Sequence, residues 1–297
     1  MKLLLAACMA CAFVDDVEIV RPLEAKGVKT KKTSAGLVAE LSMGNLKGIT
    51  LDDYKAVGQC RNLVSLNLSA EDQRFNDEAA AQLTGLDRLE KFFSNGAQLT
   101  DDGFKSLAGW KSLKQIGFDH WFRTKKDQPI GAGLAHLAAL PNLESIRLGG
   151  CMIGQEAMEA LATIRTLKKL DVFHTFYVND DALLPLRKLP DLRIFIAGPQ
   201  FSPRLTDAAL RNLSEVKSLE EISLTETWLT YEGGFKHLAA LPRLKKLSIP
   251  KVIASEEDVN KLKADLPNLV VEWTQPDEAT TEKTKAAFLR HFEKQKK

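Results

Sequence analysis

The amino-acid sequence predicts an α/β solenoid: an open horseshoe of about ten stacked strand–turn–helix units, with parallel strands on the concave face and helices on the convex face. Three observations lead there. The stretch Leu143 to Leu167 places Ile146 and Leu148 at strand period, turns at Gly149-Gly150-Cys151, and continues with Ile153, Met158, Leu161 and Ile164 at helical period. Apolar triplets in this register recur about every 26 residues along most of the chain. A common helix-start phrase follows several of them. A unit this short cannot bury its own apolar side, so the copies must stack on one another.

The N-terminus, residues 1–14, has one basic residue, an apolar run from Leu3 to Val14, and an acidic pair just beyond. It reads as a signal peptide, too short to span a bilayer, with Ala10-Cys11-Ala12 as a small-residue cleavage pattern. Export to the periplasm, cell surface or medium is the corresponding expectation. Leu5-Ala6-Ala7-Cys8 offers a second reading, a lipid anchor at Cys8, although few residues precede it. A cytoplasmic protein with a buried N-terminal cap is the remaining alternative. Residues 15–37 are polar, with Lys26, Lys29, Lys31 and Lys32 clustered, and read as a leader or cap whose charges are solvated.

The repeat domain is expected over 38–273. Its opening triplets run Val38/Leu41/Met43, Leu63/Leu66/Leu68, Leu89/Phe92/Ser94, Leu113/Ile116/Phe118 and Leu143/Ile146/Leu148. Leu167/Leu170/Val172, Leu192/Phe195/Ala197, Leu219/Ile222/Leu224 and Leu244/Leu247/Ile249 follow, and a degenerate copy from Leu269 to Trp273 closes the series. The spacing falls in the range of leucine-rich repeats and away from that of ankyrin or tetratricopeptide units. In the second halves, Leu99-Thr100-Asp101-Asp102-Gly103-Phe104, Leu205-Thr206-Asp207-Ala208-Ala209-Leu210 and Val178-Asn179-Asp180-Asp181-Ala182-Leu183 share one template. Thr or Asn stands where a helix N-cap is needed, and acids follow in the first turn, where they suit the helix dipole. That template also accounts for the Asp101-Asp102 and Asp180-Asp181 pairs without catalysis.

These phrases resemble the leucine-rich repeats of exported bacterial proteins and those attached to F-box proteins, and more loosely those of ribonuclease inhibitor. The resemblance covers about 38 to 273 and implies a horseshoe whose members bind other molecules, mostly proteins. It implies no particular partner, because the shared residues build the scaffold. No F-box-like segment precedes the repeats, which argues against a ubiquitin-ligase adaptor. The asparagine found at the strand exit of many such repeats is also missing; Gly150, His174 and Glu226 stand near its place.

Chemistry is sparse. The sequence has no phosphate-binding Gly-rich loop, no His-Glu-x-x-His and no nucleophile elbow. Cys60 and Cys151 occupy different slots of distant repeats and read as buried structural thiols. His136 and His237 share one slot before a buried leucine and read as scaffold. His120 and His174 are two repeats apart, roughly 10 Å, with Gly150 between them, too far for one metal ion. A net charge of +2 gives no reason to expect a nucleic-acid partner. The expectation is a non-enzymatic monomer with no cofactor and no transmembrane span.

Function is sought in the departures from the repeat. Strand exits carry His120, Trp121 and Phe122 in the fourth unit, and Phe173, His174, Phe176 and Tyr177 in the sixth. Phe201 and Trp228 follow in the seventh and eighth, and a charged insertion, Arg123 to Gln128, lengthens the fourth. Ile194 and Ile196 stand at positions expected to face solvent on the concave sheet. Together these residues predict an aromatic rim and apolar patch that contact a protein or peptide. Some of the aromatics are expected to turn inward over small residues such as Gly150 and Ala197. The alternative reading is a carbohydrate- or cell-envelope-binding structural protein, with the same rings stacking on sugars. Residues 274–297, with Phe288 and Phe292 on one helical face and lysines at the end, read either as a C-terminal helical cap or as a basic tail.

Overall fold

The computed structural model describes residues 16–44, 46–69, 75–121, 131–198 and 204–295. The signal and lipobox readings, Phe122, Phe201 and the Arg123 to Gln128 insertion lie outside these residues. An N-terminal helix, α1 (Asp16–Ala25), leads into β1 (Lys29–Lys32) and β2 (Val38–Ser42). The sheet continues through β3 (Ser65–Leu68), β4 (Lys91–Asn95), β5 (Gln115–Asp119), β6 (Ser145–Gly149), β7 (Lys169–Phe173), β8 (Ile194–Gly198), β9 (Glu221–Leu224), β10 (Lys246–Ser248) and β11 (Val270–Glu272). All eleven form one sheet whose spatial order is the chain order. β1 pairs antiparallel with β2, and every later pairing is parallel. The fold is therefore an open α/β leucine-rich-repeat solenoid.

Each strand start is locked to the next by a shared carbonyl. The Glu90 oxygen accepts from the N–H groups of both Lys114 and Gln115, and Glu144 accepts likewise from Lys168 and Lys169. The outer layer holds α2 (Leu51–Val57), α3 (Asp77–Gln82), α4 (Phe104–Leu107), α5 (Gln155–Leu161), α6 (Asp207–Leu213) and α7 (Glu256–Asp265). Three units carry 3-10 helices instead, at Ala132–Ala139, Asp181–Lys188 and Phe235–Ala240. All three end in Leu-Pro, at Leu140, Leu189 and Leu241, and these leucines are extended (ψ 106, 117 and 97°). A following proline excludes the helical region for its predecessor, which fixes where each segment stops.

The helix-start acids do more than cap. Thr206 accepts from the Ala208 N–H and Asn76 from the Ala79 N–H, as the template requires. The carboxylates, however, reach the neighbouring unit. Asp77 accepts from the N–H and hydroxyl of Thr100, Asp180 from those of Thr206, and Asp207 from those of Thr230. One acid thus holds the next unit's turn.

The N-terminal segment is a cap of α1 and β1. Three of its four clustered lysines are paired: Lys26 Nζ lies 2.6 Å from Asp53 Oδ2, Lys31 is 2.8 Å from Glu40, and Lys32 is 3.2 Å from Glu24. β1 is the outermost strand of the described sheet, and lysines along it oppose further strand addition. The core is aromatic in the first units, where Tyr54, Phe75, Phe92 and Trp110 contact in series at 4.9 to 6.3 Å between ring centroids. Farther along the stack aliphatic residues such as Leu170 and Ile222 predominate, with Phe195 and Phe235 buried among them. The final helix, α8 (Glu278–Gln295), buries Phe288 edge-on against Trp228 at 6.4 Å.

Candidate binding surface on the inner sheet and its rim

Parallel register sorts the inner side chains into rows across the strands. Ser65, Lys91, Gln115, Ser145, Lys169, Ile194 and Glu221 form one row. Asn67, Phe93, Gly117, Arg147, Asp171, Ile196 and Ser223 form the next. Alternate residues such as Phe92, Ile116 and Leu170 point the other way and are buried. The expected inner positions are therefore occupied as read, and Ile194 and Ile196 are half-exposed next to each other's rows.

Between β3 and β7 the inner face sinks into a cleft of about 420 Å³. Gly117 makes the depression: a Cβ there would stand 2.9 Å from Phe93 Cδ2, so the Phe93 ring leans across the missing side chain. Arg147 stands beside it and ties three strands together, its Nε 2.9 Å from Asp119 Oδ1 and its Nη1 2.6 Å from Asp171 Oδ2. Burial works against the guanidinium charge, but the two carboxylates more than offset this and raise its pKa. This cleft was not singled out in the sequence. Its only signal there was charge at inner positions, and the cross-strand pairing that gives the charges meaning needs the register.

At the strand exits one slot adopts a left-handed backbone in unit after unit. Gly96, His120, Gly150, His174, Glu226 and Lys251 have φ of 74, 49, 63, 58, 55 and 57°. The slot extends the strand ladder by one bond: His120 N–H donates to Gly149 O at 2.8 Å, and His174 N–H to Gly198 O at 2.7 Å. In four units the side chain of the residue after it donates to a nearby carbonyl. Thr175 Oγ1 donates to Val172 O, Thr227 Oγ1 to Leu205 O, Cys151 Sγ to Phe118 O, and Trp121 Nε1 to Leu99 O. Trp121 is therefore a correction to the rim: it is 1% exposed, because its slot faces inward and its indole N–H satisfies a carbonyl of the preceding unit. Burial pushes the Cys151 thiol up to about 12, which leaves it a structural group.

The other rim residues divide. His120 is exposed; its Nδ1 lies 3.0 Å from Asn95 Oδ1, and its ring covers Gly150. Phe173 stacks on His174 at 3.7 Å and leans over Gly198, one strand from Ile196. Burial lowers the pKa of His174, and its Nε2 is buried without a hydrogen bond. Phe176 is half-buried, while Tyr177 is exposed with Arg204 over its ring at 5.3 Å. Trp228 is 40% exposed, but part of it faces Phe288 of α8. Phe173, His174, Ile194 and Ile196 thus form one patch. Trp228 belongs to the outer edge, where it bridges to Ile253. Among the described residues no cluster of His, Cys, Asp and Glu could hold a metal ion, and no helix is long and apolar enough to cross a membrane.

No protein-family model matches the chain, and no curated protein matches it. Solved structures do share its fold. An internalin C2 from Listeria monocytogenes superimposes with a TM-score of 0.51 at 22% identity, over 79% of this chain and 92% of that one. TLR13, solved as a complex with ssRNA13, gives 0.53 at 15% identity, over 81% of this chain and 37% of the other. A second internalin of Listeria monocytogenes, inlF, gives 0.45 at 14%, over 91% and 92%. At these identities the first two likenesses establish the leucine-rich-repeat fold, and the chemistry must come from this chain's own surface.

Proposed function

We propose that this protein is a non-enzymatic binding scaffold that recognises a protein or peptide partner through its inner sheet and the adjoining rim. The observation that carries this reading is the division of labour along the repeats. Capping acids, left-handed turns and buried leucines account for the scaffold. The half-exposed Phe93, Phe173, Ile194 and Ile196 on the inner face serve no packing need of that kind. Export by the apolar leader is part of the same proposal and rests on the sequence of residues 1–14.

A sugar-stacking role has less support. Arg204 already occupies one face of Tyr177, and Phe288 meets Trp228, so these two exposed rings are engaged within the chain. The test is a quantitative crosslinking pull-down from the native host with the wild type and a Phe173→Ala, Tyr177→Ala, Ile196→Ser variant. Loss of specific partners with the variant supports the assignment; an identical partner set for both proteins overturns it.

A further inference from the structure

The inner cleft has an unbalanced charge pattern. Arg147 is held between Asp119 and Asp171, so the guanidinium and the two acids satisfy one another. Lys91 and Lys169 stand in the neighbouring row, on β4 and β7, and neither has a carboxylate partner among the described residues. The lysines one position earlier in the chain behave differently. Lys168 pairs with Glu144 at 2.7 Å, and Lys245, the equivalent in a later unit, pairs with Glu220 at 2.6 Å. Lys91 and Lys169 thus differ from these neighbours in presenting their charge to the inner face without an acidic partner.

Gln115 and Ser145 separate the two lysines, which places them three strand steps apart, about 14 Å. An extended peptide lying across the strands rises about 3.3 Å per residue and alternates faces, so side chains four residues apart share a face at about 13 Å. On the next strand Ile194 and Ile196 follow Lys169 and Asp171 in register.

We infer that this surface receives an extended acidic peptide whose two carboxylates, four residues apart, meet Lys91 and Lys169, with an apolar residue beyond the second on Ile194 and Ile196. The inference rests on the proposed binding role of the inner face and adds the chemistry of the partner. A polyanion such as nucleic acid fits less well. Its phosphates would also fall on Asp119 and Asp171, which offset the third cation.

The probe is a display library of random dodecapeptides, selected on the full chain and followed by fluorescence anisotropy of a labelled Glu-Ala-Tyr-Ala-Glu-Ala-Ile peptide. Selected sequences should be rich in acids at i and i+4. Lys91→Glu with Lys169→Glu should weaken the labelled peptide about ten- to thirtyfold, in keeping with two exposed ion pairs. Binding to the wild type should also fall as salt rises. The Lys→Met pair, checked by circular dichroism, should fall between, and a Lys-for-Glu peptide should bind the reversed variant better than the wild type. Neutral or basic peptides that are lost on Ile196→Ser would overturn the acidic assignment while leaving the inner-face reading intact. Enrichment of nothing above blank beads overturns both. Tighter binding of an oligothymidylate through the same lysines overturns it in favour of nucleic acid.

Discussion

Gly150 and Glu226 occupy the same left-handed turn in different units, and opposite consequences follow from substituting them. A Cβ at Gly150 adopts a strained φ and meets His120 Cδ2 at 2.9 Å. Gly150→Ala should therefore lower unfolding stability by about 1–2 kcal/mol. Glu226→Gly removes a side chain from a strained position, and the expected change is within about 0.5 kcal/mol of zero or favourable. Urea denaturation of the two variants checks the contrast; equal losses would refute the strained-slot account. Asp53 supplies a pH test. Burial alone would raise its pKa, but Lys26 and the Thr50 N–H and hydroxyl hold it below the usual carboxylate value. Its folded pKa is thus below its unfolded one, so the stability it contributes is present above about pH 3.9 and is lost as pH falls through the folded value. Asp53→Asn should cost about 1 kcal/mol at neutral pH. The gap from wild type should close in acid, and a gap constant with pH would contradict the pairing. At this scale the sequence showed which residues were unusual but not always which way they pointed. Trp121 stood out as an aromatic at a strand exit, yet its fate depends on whether its slot falls one residue before or after the left-handed turn.

At the scale of elements, the helix-start template and the strand register were legible because each repeats many times, and noise in one copy is corrected by the others. What happens once was harder to read. The antiparallel β1 has no second copy, and its lysines gave no strand signal. The 3-10 segments end at Leu-Pro, but so does the α-helical α7, so no sequence signal singled them out. The Arg147 bridge needs three strands aligned before it exists. The final helix, α8, is likewise unique, and its described contact with the solenoid centres on Phe288 and Trp228. Removing residues 276–297 should leave the solenoid folded and expose Trp228 more fully. Acrylamide should then quench one of the four tryptophans more strongly, with Tm changing by a few degrees at most. Collapse of the far-ultraviolet circular dichroism would show instead that α8 holds the stack together.

The whole molecule is nearly one-dimensional, since each unit touches its neighbours and little else. Stability should then be a sum of unit and interface terms. Leu170 lies fully buried in the middle of the stack, whereas Leu269, near its end, is 9% exposed. Leu170→Ala should cost about 3 kcal/mol and Leu269→Ala less, the first leaving a cavity that cannot collapse. Hydrogen exchange should show the Leu170 loss reaching the units on both sides while the terminal units stay as they were. A uniform loss of protection along the chain would mean that the solenoid unfolds as one block.

The agreement between strand order and chain order also governs how the molecule is made. Every strand pairs only with its immediate predecessor and successor. A chain leaving the ribosome therefore finds each new strand's template already laid down, with no long wait for a distant partner. The lysine-bearing β1 is in place from the start, so at any moment of synthesis the growing C-terminal edge is the one left open for the next strand. A nascent chain that has reached Phe173 already holds every partner that its strands before the last will ever need.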